Sequence, residues 1–248
     1  MIIRGGVSAV LIAVILFSHL ARPSWRVLVF SILFSVATLF LYIAIRAWSP
    51  GPSLVVITLT PVVNIVAKLL RGKVVHRRVY LAMIGLLIGV MIALNPWQAN
   101  FDLIGFVMSL LAMLLAGLGM EVLAGEKGVD PYNKSFWLAI LTVCIGCLAS
   151  VGDGQMPLLA LEWTSSNTLA LVGFGVVGGF LYYLANIIAV EELETEVATT
   201  LAMAETPAVI ISSWFMLGDK LSLVQWVGVS IALAAAASLV HAQQEKIS

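Results

Sequence analysis

The sequence predicts an all-α, polytopic helical membrane protein, and three observations predict it. Of its 248 residues, 61% are hydrophobic and only 10% charged, and the mean hydropathy of +1.08 lies far above that of a soluble domain. The apolar residues gather in runs of about the length that crosses a bilayer. The separators are short and carry turn or interface residues: Arg22-Pro23-Ser24, Ser49-Pro50-Gly51-Pro52, Asn95-Pro96-Trp97, Gly152-Asp153-Gly154 and Gly218-Asp219-Lys220. No basic stripe with interleaved aromatics exists, which excludes nucleic acid as a partner. No acid/base pair or nucleophile beside a base falls in the spans, so enzyme chemistry is not expected, nor is a metal or other cofactor.

Nine spans follow in order. The first, Gly5 to Leu20, is short, but His19 stands where a signal-peptide cleavage site would want a small residue, so it reads as a retained helix. The others are Val27 to Ala47, Ser53 to Leu70, Val79 to Leu94, Phe101 to Leu123, Ser135 to Val151, Thr168 to Val190, Thr195 to Leu217 and Val224 to His241. Trp25, Trp48, Trp97, Trp137 and Trp163 fall at or just outside these ends, where indole rings favour the headgroup region. The longest connection, Gly152 to Asn167, contains Met156 to Trp163, which reads as a short surface-lying turn of helix. Alternating the loops from an external N-terminus puts Arg22, Arg26, Lys68, Arg71, Lys73, Arg77, Arg78, Lys127, Lys134 and Lys246 on one side, and only Arg4, Arg46 and Lys220 on the other. The positive-inside rule then predicts N-terminus outside and C-terminus cytoplasmic.

The eighth span is the unusual one. Glu205 lies about 15 Å from either end of it at 1.5 Å per residue, near the midplane, where a charge is costliest. Pro207 has no N–H to donate and its ring crowds the carbonyl of Met203, so the helix is expected to break beside the acid. Burial would raise the Glu205 pKa toward neutrality, which suits proton coupling; when ionised the group could hold an ammonium. The structural alternative is a protonated Glu205 bonding the backbone that Pro207 opens.

The halves of the chain echo one another. SPGPSLVVITLTPVVNIVAKLLRGKVV from Ser49 resembles TEVATTLAMAETPAVIISSWFMLGDKLS from Thr195, with Pro61 on Pro207 and Gly72 on Gly218. A glycine-containing apolar helix follows each, with Gly85 and Gly228. An odd number of helices before the second copy makes the repeats inverted, a transporter signature with the site near the midplane. At these residues the sequence resembles the EamA family of the drug/metabolite transporter superfamily. Pro207, Gly218, Asp219, Lys220, Gln225, Trp226 and Gly228 match its second repeat, with Asp219 for the usual Glu; Pro61, Gly72 and Gly85 fit the first, where Lys73 takes the acidic position. The resemblance implies two repeats, residues 1–97 and 98–248. Arg4 and the helix after it look like the family's second helix, so its first is absent and the nine helices divide as four plus five.

The resemblance also implies that the third, fourth, eighth and ninth helices of the family line a cavity. Tyr42, Thr60, Asn64, Tyr182, Tyr183, Asn186 and Thr199 sit on the matching segments, with Thr58 and Thr200 beside them. Each has a structural use too: interhelical bonding for the asparagines, packing for the tyrosines, backbone bonding for the threonines. Pro61 and Pro207 mark the helix breaks. Glu191, Glu192, Glu194 and Glu196 crowd one turn, where acids complement a helix N-terminus or collect cations. Arg46 and Lys68 lie near span ends, where they can snorkel. Cys144 and Cys147 read as small residues packing in a helix rather than as a redox or metal pair. Gly85 with Gly89, Gly175 with Gly179, and Gly228 with Ala232 permit close helix packing, chiefly within the monomer, and leave a homodimer open.

The expected function is secondary-active transport by alternating access, in a bacterial inner membrane, exporting a small neutral, zwitterionic or cationic metabolite such as an amino acid. No Lys or Arg lies deep enough to greet a phosphate. The alternative is a non-transporting membrane subunit or degenerate paralogue that acts through a partner chain.

Overall fold

The computed structural model describes residues 2–15, 21–98, 100–152, 172–173, 175–208, 210–211 and 222–247. All regular structure among them is helical: α1 (Ile2–Ile15), α2 (Trp25–Ala47), α3 (Pro50–Ile57), α4 (Thr60–Leu70), α5 (Arg77–Leu94), a 3₁₀ turn (Pro96–Gln98), α6 (Leu103–Ala124), α7 (Pro131–Gly152), a π-helical stretch (Val176–Leu181), α8 (Tyr182–Glu192), α9 (Thr195–Ala202) and α10 (Leu223–Ile247). Among the described residues six segments are long and apolar enough to cross a membrane: Trp25–Ala47, Pro50–Leu70, Arg77–Leu94, Leu103–Ala124, Pro131–Ser150 and Leu223–His241. The chain is therefore a multi-pass membrane protein. The remaining expected spans are shorter over the described residues. The first holds the apolar stretch Gly5–Val14, the one before Val190 begins at residue 172, and the one from Thr195 is interrupted after Ala202. The surface turn at 156–163 and the Gly218-Asp219-Lys220 turn lie outside the described residues.

Local chemistry sets the helix ends. Ser24 accepts the Val27 N–H at 3.3 Å and Asp102 accepts that of Gly105 at 2.6 Å, N-capping α2 and α6. Asp130 caps α7 through the N–H groups of Tyr132 and Asn133, with Pro131 at the first helical position. Ser222 and Gln225 form a reciprocal capping box before α10: the Ser222 N–H donates to Gln225 Oε1 at 3.0 Å and the Gln225 N–H to Ser222 Oγ at 3.2 Å. Asn95 ends α5 in the left-handed region, with Pro96 behind it.

The chain packs as two compact units, Met1–Leu39 with Leu118–Glu192, and Phe40–Gly117 with Leu193–Ser248. Both units draw on both sequence halves, so packing cuts across the division at residue 97. In the first unit α1 lies on α7 and the π stretch. A Cβ on Gly5 would sit 2.8 Å from the Ala139 carbonyl, Gly175 meets Val7 as closely, and Ser8 Oγ donates to the Gly175 carbonyl at 3.2 Å. Ser35 and Thr142 hydroxyls join α2 to α7 at 2.9 Å. One end of this unit gathers the connections before α2 and α7: the Ala21 N–H donates to Asn133 Oδ1 at 2.9 Å, Ser24 Oγ to Glu126, and the Arg26 guanidinium to the Gly125 carbonyl.

In the second unit α5 and α10 run antiparallel in close contact. As the α5 position rises through Gly85, Gly89 and Ala93, its α10 partners fall through Ala235, Ala232 and Gly228. The small-residue pairs therefore pack against each other within one chain, as expected. At the far end of α5, Gln225 Nε2 donates to the Ala93 carbonyl at 3.2 Å, and Trp48 stacks edge-on against Phe101 and Phe106. Leu86, Met203, Ala232 and Ala236 form one buried cluster; Ile65, Val75, Val79, Ala82, Val197 and Leu239 form another.

Candidate functional site

The second unit brings together two helices that both break before a Thr-Pro pair. α3 ends at Ile57, two turn residues intervene, and α4 resumes at Thr60 with Pro61 behind it. α9 ends at Ala202, Met203 and Ala204 form a turn, and helix resumes at Glu205 ahead of Pro207. Proline explains both. Pro61 cannot donate to the Ile57 carbonyl four residues back, and the Thr60 hydroxyl donates to it instead at 2.6 Å. Pro207 cannot donate to Met203, whose carbonyl takes the Thr206 N–H at 3.3 Å. Shorter i to i−3 bonds carry the backbone through both breaks: Leu59 to Val56 at 3.1 Å and Ala204 to Leu201 at 3.0 Å.

Seven of the sequence-selected side chains lie in this unit. Asn64 is buried on α4 and donates to the Gly117 carbonyl of α6 at 3.0 Å. Thr60 supports the break. Thr199 is buried and bonds the Thr195 carbonyl at 2.8 Å, and Thr58 and Thr200 also bond their own helix backbone. Tyr42 is exposed on α2. Glu205 is exposed as well, which corrects the expectation that protein buries it. The break turns the resumed helix so that Met203 and Pro207 face inward while the acid between them faces out.

The other three lie in the first unit, directly after the π stretch Val176–Leu181. One extra residue per turn shifts the face that every later side chain presents, and such π turns are frequent at functional sites. Tyr183 is buried and Tyr182 and Asn186 are half-buried; the tyrosine rings stand 6.0 Å apart, and Asn186 Nδ2 donates to the Tyr182 carbonyl at 2.9 Å.

Two ion clusters escaped the sequence reading. Lys68, expected to snorkel, instead turns between Glu194 Oε2 at 2.8 Å and Glu196 Oε1, clamping the end of α4 to the start of α9. Its side chain is 15% exposed and that of Glu196 only 3%. A carboxylate so buried persists because a cation meets it. Lys134 is fully buried in the first turn of α7, donating to the Glu126 carbonyl at 2.7 Å and to Glu191. The acidic turn thus does more than complement a helix dipole: Glu191 is tied within the first unit, Glu194 and Glu196 within the second. The available signal was opposite charge at ends of matching helices on one predicted side. Glu126 stands outside the spans, and its carboxyl is held below the ordinary glutamate range by the Ser24 hydroxyl and then by the Gly128 N–H. Cys144 and Cys147 are exposed on α7 rather than packed. Among the described residues no group of His, Cys, Asp and Glu could hold a metal ion.

The model of the EamA-like transporter family matches residues 103–240. The chain belongs to that family. No curated protein matches it. This EamA-like chain is also similar to a solved structure described only as the crystal structure of a protein, with a TM-score of 0.79 and 16% identity, covering 96% of this chain and 86% of the other. At that identity the likeness speaks for the fold. Paired broken helices, one resuming at a carboxylate, therefore stand in a chain of a transporter family.

Proposed function

We propose that this EamA-like protein is a secondary-active carrier that exports a small neutral, zwitterionic or cationic metabolite, such as an amino acid, by alternating access. The observation that carries the reading is the pairing of two helices broken before Thr-Pro in one packing unit. Broken helices leave backbone dipoles and hydroxyls in the membrane, which transporters use at solute and ion sites. Nine spans in two inverted repeats, N-terminus outside and C-terminus cytoplasmic in a bacterial inner membrane, complete the reading; the antiparallel crossing of α5 and α10 supports the inversion. Glu205 carries the coupling proton. The residues offered to the solute are Tyr42, Thr60, Asn64 and Thr199 in the second unit and Tyr182, Tyr183 and Asn186 in the first. The described cations within the spans favour the solute class: Arg26, Arg46, Lys68, Arg77, Arg78 and Lys134 all lie in a first or last turn, and Lys68 and Lys134 are met by carboxylates, which leaves no described midspan cation for a phosphate.

The test is flux in proteoliposomes under an imposed proton gradient, across a panel of labelled amino acids and amines. Gradient-driven flux is expected, and Glu205→Gln is expected to lower it by at least about tenfold, in the range of a lost proton-transfer group, with unchanged insertion. Unchanged flux in that variant removes Glu205 from the mechanism. No gradient-dependent flux of any solute defeats the carrier reading.

A further inference from the structure

The connection from α4 to α5 is a built surface. The Lys73 N–H donates to the Lys68 carbonyl at 3.1 Å and the Gly72 N–H to Leu69 at 2.9 Å, with Gly72 at φ +69°. That is the paired bonding of a Schellman end, and glycine takes the left-handed turn at no steric cost. Val75 then plugs into the cluster of Ile65, Val79, Ala82, Val197 and Leu239. With the loop anchored from inside, its other side chains turn out. Leu70 is 84% and Val74 87% exposed, and Arg71, Lys73, His76, Arg77 and Arg78 are all exposed beside them. The loop joins the ends of two candidate spans, Pro50–Leu70 and Arg77–Leu94, which sets it at the membrane surface.

Its charge is one-sided. The first acid in the whole sequence is Asp102, and the carboxylates that meet the end of α4, Glu194 and Glu196, are engaged by Lys68. Arg71 and Arg78 also have partners within the protein. Lys73 and Arg77 form no ion pair among the described residues.

We propose that this connection is a docking site for anionic phospholipid headgroups. Lys73 and Arg77 hold headgroup phosphates, the guanidinium with paired donors, Arg71 and Arg78 add to the positive field around them, and Leu70 and Val74 enter the acyl boundary below. A solvated basic loop would not need two large aliphatic side chains displayed outward between its charges. The site is independent of solute transport.

The test uses the full chain in detergent micelles with phosphatidylglycerol or phosphatidylcholine added, reading retained lipid by native mass spectrometry and thermal midpoint in parallel. The intact protein is expected to retain phosphatidylglycerol preferentially. Lys73→Gln with Arg77→Gln is expected to lose about tenfold or more of that preference, on the scale of two surface cations, and Val74→Ser part of it. The midpoint in phosphatidylcholine should not move. Equal preference in the double variant overturns the proposal. So does a lower midpoint in phosphatidylcholine alone, which would make the charges structural, or displacement of the lipid by millimolar inorganic phosphate, which would make the loop a plain anion site.

Discussion

Substituting Gly89 by alanine tests the close crossing of α5 and α10 in the second unit. A Cβ there would lie 2.6 Å from both the Ala232 nitrogen and the Gly228 carbonyl oxygen, and 2.8 Å from the Ala232 methyl. The first two obstacles are backbone, so no rotamer relieves them. Reaching ordinary contact at 3.4 Å means parting α5 and α10 by about 0.8 Å, the difference between the two distances, and a gap of that size forfeits roughly a quarter to a half of each dispersion contact across the seam. Overpacking against rigid atoms costs about 3 kcal/mol and helix propensity returns about 1 kcal/mol, leaving about 2 kcal/mol of destabilisation. For a chain of this length that lowers the thermal midpoint by about 4 to 8 °C. Gly6 is the control: a Cβ there meets nothing within 4 Å, so Gly6→Ala keeps the propensity gain. Gly85→Ala, which meets only the Ala235 methyl at 2.9 Å, should fall between. Midpoints of the three detergent-solubilised variants, taken at one heating rate, give the ranking. Gly89→Ala as stable as Gly6→Ala would mean that the helices do not cross at this glycine.

Asn64→Ala removes the side-chain bond to the Gly117 carbonyl and should cost about 1 kcal/mol, the scale of interhelical hydrogen bonds in membranes, read as a lower midpoint. Glu126 has a folded-state pKa depressed by its hydrogen bonds, so its stabilising share is present above the unfolded value of about 4.3 and is lost as pH falls through the lower folded value. The midpoint should therefore drop on acidification below about pH 4.3, and Ser24→Ala should flatten that drop; an unchanged slope in Ser24→Ala refutes the assignment. Replacing Cys144 and Cys147 together by alanine should leave the midpoint within about 0.5 kcal/mol of wild type, since both face outward; a clear loss would place them in a packed interface.

Six of the nine expected spans were legible because a bilayer demands long apolar runs, and both breaks because a proline removes a donor wherever it sits. What Glu205 faces was not legible. Its direction depends on how far the Met203–Ala204 turn rotates the helix that follows, and the proline fixes that a break occurs but not its phase. The cysteines misled for a different reason: in a membrane helix the lipid face and the packed face are both apolar, so composition does not separate them. Lys68 could be placed near a helix end, but choosing Glu196 as its partner takes knowledge of which ends meet. The capping box of Ser222 and Gln225 stood in plain sight, as a Ser followed three residues later by Gln.

The clamp at Lys68 also bears on the order of assembly during synthesis. Its carboxylate partners come 126 and 128 residues later in the chain, roughly 6 to 25 s of elongation at ~5–20 residues per second. For that interval α4 and α5 are already made, while Lys68 has no acid to meet and the glycine face of α5 has lipid in place of α10. The second unit therefore closes last. A chain arrested before α9 would present a lone cation at a helix end and an uncovered small-residue seam, the two marks by which membrane quality control could tell it from the finished protein.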